Sequence, residues 1–390
     1  MGIDMAMARR NFIRVIGGGI VLAAGTAVAV PRLDAMPAAA VEGWRGPRPQ
    51  ERDPRRRALA WAMLAPNPHN MQAWLVDLRQ PDEIVLYVDR ERLLPQTDPF
   101  SRQIVVGQGT FLELLVLALA ADGYRAEIVL FPGGEFEAER IDARPVARVR
   151  LVRDSTIKVD PLFAQIPHRR SIKTEYAKQP VSAAHLAALA AAHRAVSDLT
   201  LDFATDPAAL DALRAIAAGA SEVEMMTPRT HKESIDRLRI GADEIATHRD
   251  GLVLTGPMIW ALRHAGIFTR DKAMTPGTLA WKGGRDVIMT GYASAVAFGW
   301  IATPLNTRTA QIAAGRAYVR LNLKATELGV AMHPHSQALQ EFAEMADMHR
   351  AIHKATGMPD GHTVQMFFRL GYAADPGPTP RRSPDSIVMA

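Results

Sequence analysis

No cysteine occurs among the 390 residues. That absence excludes a disulfide framework, a thiolate metal site, an iron–sulfur cluster and a cysteine nucleophile. Aromatic residues are sparse at 6%, and an excess of one charge is sparser still: 46 Lys and Arg stand against 41 Asp and Glu, a net +5. So weak and dispersed an excess argues against nucleic acid or a membrane surface as partner. Neither a Gly-x-Ser-x-Gly elbow nor a Walker loop is present, so hydrolase and nucleotidase chemistry has no support. Gly107-Gln108-Gly109 lacks the third glycine of a dinucleotide fingerprint. His349 and His353 have a two-ligand helical spacing but no third ligand to match, so they read as a helix face and no metal is expected. What remains is 48% hydrophobic and 22% charged, the profile of a folded soluble protein. The length suits two half-domains around a shared core.

The amino terminus reads as an address. Arg9 and Arg10 are followed by Phe12 and Arg14, then by a mildly apolar stretch rich in Gly and Ala from 15 to 30, and by the small-residue run 37–40. The pattern resembles a bacterial twin-arginine export signal over residues 1–40, with 37–40 as its cleavage region. It implies the twin-arginine translocase as partner during export and a periplasmic or other extracytoplasmic location. The alternative is an uncleaved signal that anchors the chain in a membrane. Residues 41–54, rich in Pro, Gly and charge, read as a linker.

Periodicity predicts a helix from Arg55 until Pro66 ends it, a strongly apolar helix over 108–121, and further helices over 183–194, 207–218, 232–248 and 308–328. Strands are predicted over 84–89, 126–131, 146–152, 199–204 and 364–372. One internal repeat stands out. Gly109 and Gly123 share the spacing of Gly315 and Gly329, and laying one segment on the other sets Leu115 on Leu321 and Leu117 on Leu323. Each segment then leads into a short apolar run and a proline, Pro132 or Pro334. The stretch 225–282, punctuated by Pro228, Gly251, Gly256 and Pro276, reads as a lid.

Two motifs carry chemistry. One is Ala65-Pro66-Asn67-Pro68-His69-Asn70-Met71-Gln72-Ala73-Trp74; the other is Arg169-Arg170-Ser171-Ile172-Lys173, followed by Tyr176. Together they resemble the nitroreductase family of FMN-dependent oxidoreductases, in its long single-chain exported branch. That family usually opens with Arg-x-Ser-x-Arg/Lys and carries Pro-Ser-x-x-Asn-x-Gln-Pro-Trp further on. Here the order is reversed and the motifs fall in different halves, as in a fusion of two half-units that each kept part of one site. Asn67 stands where the family prefers Ser, and Ala73 where it prefers Pro. Segments 329–337 and 369–372 resemble the family's later loop and closing strand, and Arg381 and Arg382 its terminal arginines. The resemblance implies an α+β fold, a nitroreductase-like mixed sheet flanked by helices. Half-unit 1 over 55–160 and half-unit 2 over 161–390 would form an intramolecular pseudo-dimer with no need of an obligate homodimer.

It also implies FMN at the seam between them. The phosphate dianion suits Arg169, Arg170 and Lys173, with Ser171 as a hydroxyl donor close to a helix start and Arg381 and Arg382 reaching in from the tail. Asn67, His69, Asn70 and Gln72 offer donors and acceptors for the flavin's pyrimidine edge or ribityl hydroxyls. His335 and Ser336 would sit near the redox-active ring and tune it. No side chain need act as a nucleophile. The implied activity is two-electron reduction of a small acceptor, nitroaromatic or quinone-like, with NAD(P)H or another electron donor. The alternative is an FMN-binding or sequestering protein with little or no turnover, which export away from cytoplasmic nicotinamide and a lid would both favour.

Overall fold

A computed structural model describes residues 34–390, so the export signal lies outside the described residues except for its last few positions. The first half comprises α1 (Ala38–Val41), α2 (Pro54–Ala62), β1 (Trp74–Asp77), β2 (Glu83–Val88), α3 (Arg102–Ala121), β3 (Tyr124–Leu130) and β4 (Ala147–Arg153). Its strands pair antiparallel in the order β1-β2-β4-β3. Alternation explains β2: Ile84, Leu86 and Val88 are buried, while Glu83, Val85 and Tyr87 between them are half-buried.

The second half runs α4 (Ala183–Arg194), β5 (Thr200–Ala204), α5 (Pro207–Met226), α6 (Pro228–Asp236), β6 (Leu238–Ile240), α7 (Ala242–His248), β7 (Leu252–Leu254) and α8 (Pro257–His264). It continues through α9 (Arg270–Met274), α10 (Leu279–Ala293), β8 (Ala297–Thr303), α11 (Arg308–Glu327), β9 (Ala331–Pro334), α12 (Ala346–Ala355) and β10 (Thr363–Gly371). Its main sheet is antiparallel with the order β5-β8-β10-β9. Both halves thus place their strands in the order first, second, fourth, third, with a 20-residue helix between the second strand and the third. All seven residues of β8 are buried, as in a strand covered on both faces. The fold is α+β. The carboxy-terminal tail then makes the first sheet mixed, through a parallel bridge from Val388 to Val76 of β1.

Helices α3 and α11 cross at the repeat's paired glycines. A Cβ on Gly109 would lie 2.2 Å from the Ile312 carbonyl oxygen, and one on Gly315 2.0 Å from that of Val106. Only glycine lets two helix backbones approach so closely. Glu113, buried on α3, takes Arg316 and Arg320 of α11 at 2.7 and 2.8 Å beside the crossing. By length and composition α3 would cross a membrane, yet it is a buried core helix.

The second half differs from the first by a long insertion between β5 and β8, with a small core of its own around Ile240, Ile259 and Phe268. The helix predicted over 232–248 is broken there. Leu238–Ile240 pairs in parallel with Leu252–Leu254, and Gly241 takes a φ of 92°, so α6 ends before β6 and α7 lies between the two paired strands. Residues 41–54, read as a linker from composition, include a packed 3-10 turn, Glu42–Arg45, whose Trp44 is buried.

Candidate functional site

Arg169 follows a 3-10 stretch, Pro161–His168, that carries the second motif to the seam. It is buried, donating from Nη1 to Asn322 Oδ1 of α11 at 3.1 Å and from Nη2 to the Leu64 carbonyl at 2.9 Å. Arg381, also buried, donates to Asn70 Oδ1 and Thr379 Oγ1 at 2.8 Å and reaches the same Leu64 carbonyl at 3.5 Å. Arg170 lies alongside. Trp44 stands among the three: their guanidinium carbons are 5.7, 4.3 and 5.0 Å from its ring for Arg169, Arg170 and Arg381. Its indole N–H donates to the Thr379 carbonyl at 2.7 Å.

Among the described residues, the one ion pair these three arginines make is Arg170 with Asp375 at 3.3 Å. Burial lowers all three guanidinium pKa values, that of Arg169 to about 10, and the charges of Arg169 and Arg170 lower Arg381 further. The Nε of Arg169 and that of Arg381 are buried without a hydrogen-bond partner, whereas the Nε of Arg170 faces Asp375. Buried cations with orphaned donors and almost no counter-charge form a site for an anion.

The first motif is a strained loop. His69, Asn70 and Gln72 have φ values of 49°, 54° and 52°, a region non-glycine residues hold only when their surroundings enforce it. The enforcement is visible. Asn67 Oδ1 accepts the Gln72 N–H at 2.8 Å, and Asn70 donates to the Pro380 carbonyl while accepting from Arg381. Gln72, wholly buried, donates to the Arg249 carbonyl at 2.9 Å and accepts the Arg382 N–H at 2.8 Å. Of the four polar residues expected at the flavin, Asn67 therefore ties the loop to itself, while Asn70 and Gln72 lace it to the tail and Gln72 also to the insertion. His69 differs: it is half-buried, 3.1 Å from Ser234 Oγ, and its pKa falls to about 4 through burial and the nearby charges of Lys173 and Arg237.

Lys173 keeps an accessible surface, and desolvation by the protein packed around it lowers its pKa. Its charge acts on His69 and His333. Ser171 lies in irregular chain rather than at a helix start, since α4 begins at Ala183. His335 is buried against Tyr292 and His333, with ring centres 4.4 and 4.7 Å apart, and its Nε2 has no partner. Ser336 offers its carbonyl to Gln103. Arg382 turns away from the cluster, donating to the Gln72 carbonyl at 3.2 Å and lying 3.7 Å from Asp89.

Four further residues shape the site: Trp44, Asn322 and Tyr318, which carry no sequence signal for it, and Arg369. Tyr318 brings a buried, unpartnered hydroxyl near Arg169. Arg369, visible in the sequence only as part of a closing strand, donates to the Lys173 and Thr174 carbonyls at 2.9 and 2.8 Å and stacks 3.9 Å over Tyr176. It fixes the backbone that carries Lys173.

The family described as "Nitroreductase family" matches residues 166–372. A Mycobacterium tuberculosis protein provisionally named an NAD(P)H nitroreductase is 30% identical over 351 residues, covering 85% of this chain and 90% of that protein. A second from the same organism, provisionally named NAD(P)H nitroreductase Acg, is 32% identical over 77 residues, 20% of this chain and 23% of that protein. The chain belongs to the nitroreductase family. Among solved structures, an FMN and NADPH-dependent nitroreductase, NfnB, from a Sphingopyxis strain aligns with 59% of this chain and 99% of its own, at 16% identity and a TM-score of 0.37.

Proposed function

We propose that this protein is an FMN-dependent oxidoreductase that reduces a small nitroaromatic or quinone-like acceptor by two electrons drawn from a nicotinamide donor. In this reading it works outside the cytoplasm after twin-arginine export, and its two half-units stand in for the two subunits of a dimer. The observation that carries the proposal is the seam cluster of Arg169 and Arg381, both buried, with half-buried Arg170 beside them and one carboxylate among the three. The FMN phosphate is the missing counter-charge. The rest of the seam fits the remainder of the cofactor: Thr174 Oγ1, Arg237 Nε, His333 Nδ1 and His335 Nε2 are buried and also lack partners.

Arg169 and Arg381 would hold the phosphate, while Lys173, His69 and His333 would line the ring end. When bound, FMN supplies reversible two-electron chemistry. The chain's own part is to bind, orient and exclude water. The insertion does the last of these through the Gln72–Arg249 and His69–Ser234 contacts and the Gly251 N–H, which donates to the Asn70 carbonyl at 3.2 Å.

That same seal favours a second reading, an FMN-binding protein with little turnover. Anaerobic mixing of the purified yellow protein with NADH or NADPH separates the two. Bleaching of the flavin band by either donor supports the reductase. A band that persists with both and bleaches with dithionite selects sequestration, and a protein that takes up no FMN overturns both readings.

A further inference from the structure

A hydrogen-bond chain leaves the seam and enters the insertion, and neither the phosphate cluster nor the core accounts for it. His69 Nε2 lies 3.1 Å from Ser234 Oγ of α6; that hydroxyl donates to Glu224 Oε1 of α5 at 2.8 Å; Glu224 Oε2 accepts from Gln340 at 2.8 Å. Glu224 is 8% exposed and makes no ion pair among the described residues. The titratable groups near it are Glu233 of α6, which is taken up by the N–H groups of Gln96 and Thr97, and Tyr292 of α10. Lys173 and Arg237 face the His69 end. His69 Nδ1 makes no hydrogen bond among the described residues.

We propose that Glu224, Ser234 and His69 form a proton relay to the acceptor at the seam, an inference that rests on reading the seam as the reductase site. Reduction of a quinone A by a nicotinamide donor consumes a proton beyond the hydride: A + NAD(P)H + H⁺ gives AH2 + NAD(P)⁺. The relay delivers that proton. With Glu224 protonated the chain runs the other way: its carboxyl donates to Ser234 Oγ and the Ser234 hydroxyl to His69 Nε2, which leaves the ring proton on Nδ1. An O–H bond forms on the acceptor as the Nδ1–H bond breaks, in concert with transfer of the Ser234 proton to Nε2 and of the Glu224 proton to Ser234. Solvent then reprotonates Glu224, and proton exchange with water returns the ring to its Nδ1–H tautomer.

The two ends are poised in opposite senses. Burial, with Glu233 adding like charge, raises the Glu224 pKa, so it holds a proton more readily. Burial and two cations lower His69 to about 4, so its ring passes a proton without retaining a second. The strained φ of 49° fixes the ring's departure from the loop.

Three variants test the relay in two independent ways: Ser234→Ala, Ser234→Thr and Glu224→Gln. In the cofactor-free protein, nitrogen NMR of the His69 ring should show the Nε2 signal shift with Ser234→Ala and recover with Ser234→Thr. An unchanged signal means the chain does not exist, and the relay falls. In FMN-loaded protein, with retention checked by absorbance, reoxidation by a small soluble quinone is followed against pH. Ser234→Ala should slow it by about a hundredfold, Ser234→Thr should restore it, and Glu224→Gln should flatten the pH profile. Wild-type rates and profiles in Ser234→Ala overturn the relay while leaving the FMN reading intact. A wild-type protein that binds no FMN overturns that reading, and the relay with it.

Discussion

Arg169 and Arg381 share the Leu64 carbonyl and almost no negative charge, an arrangement that is costly until an anion joins it. A ligand that binds only the folded state stabilises it by mass action. Inorganic phosphate should therefore raise the Tm of the cofactor-free protein, and Arg381→Met should abolish the rise. Arg169→Ala should weaken FMN binding by about 1–3 kcal/mol, the cost of losing a charged hydrogen-bond partner in a buried site, as read by quenching of FMN fluorescence. An affinity equal to wild type would place the phosphate elsewhere. These arginines were legible because each sits in a short motif whose residue types suit an anion. Trp44 was not, because its three cationic neighbours come from positions 169, 170 and 381, and only the folded chain brings them to residue 44. The amides of the first motif show the converse: Asn67, Asn70 and Gln72 have the right groups for a ligand, but the protein itself uses them.

Between elements, the glycine repeat was the sequence feature with the most structural content, since it marks where α3 and α11 touch. Glycines in helices are not alike. A Cβ on Gly315 would strike the Val106 carbonyl, which is backbone and has nowhere to go, whereas one on Gly284 of α10 would meet nothing within 4 Å. Gly315→Ala should destabilise by about 1–3 kcal/mol through overpacking. Gly284→Ala should stabilise by up to about 1 kcal/mol through helix propensity alone. Urea unfolding of both variants checks the pair, and equal shifts would remove the argument for the crossing. The segment 34–46 shows what composition hides. Residues 34–40 read as the end of the export signal and 41–46 as the start of a linker, yet Ala40 accepts the Arg381 N–H at 2.8 Å and Asp34 accepts the N–H groups of Ala242 and Gly256 at 2.6 and 2.9 Å. It straps the tail and the insertion together over the arginine cluster. Trp44→Ala should accordingly lower FMN affinity while leaving the far-UV circular dichroism unchanged.

Across the whole molecule, acid should be the chain's weakness at a pH well above that of ordinary carboxylate titration. Burial lowers the pKa of His69, His333, His335, His349 and His353, with His69 and His349 near 4. A base whose folded pKa is depressed contributes stability that is present above its unfolded value, about 6.5, and lost as pH falls toward the folded one. Asp98 works the other way. It is buried and accepts the Gln103 and Ile104 N–H groups, and burial raises its pKa to about 6, so its contribution grows as pH falls through 6. Glu224, also raised, acts in the same direction as Asp98. Five imidazoles outnumber two carboxyls, so the unfolded chain takes up more protons between pH 6.5 and 5. Each excess proton gives a slope of about 1.4 kcal/mol per pH unit. The urea midpoint should fall from pH 7 to pH 5, and it should fall more steeply in Asp98→Asn, which removes one opposing group. A midpoint that holds or rises over that interval would mean the imidazoles are reachable by protons in the fold, and that the packing around them is more open to water than their burial implies.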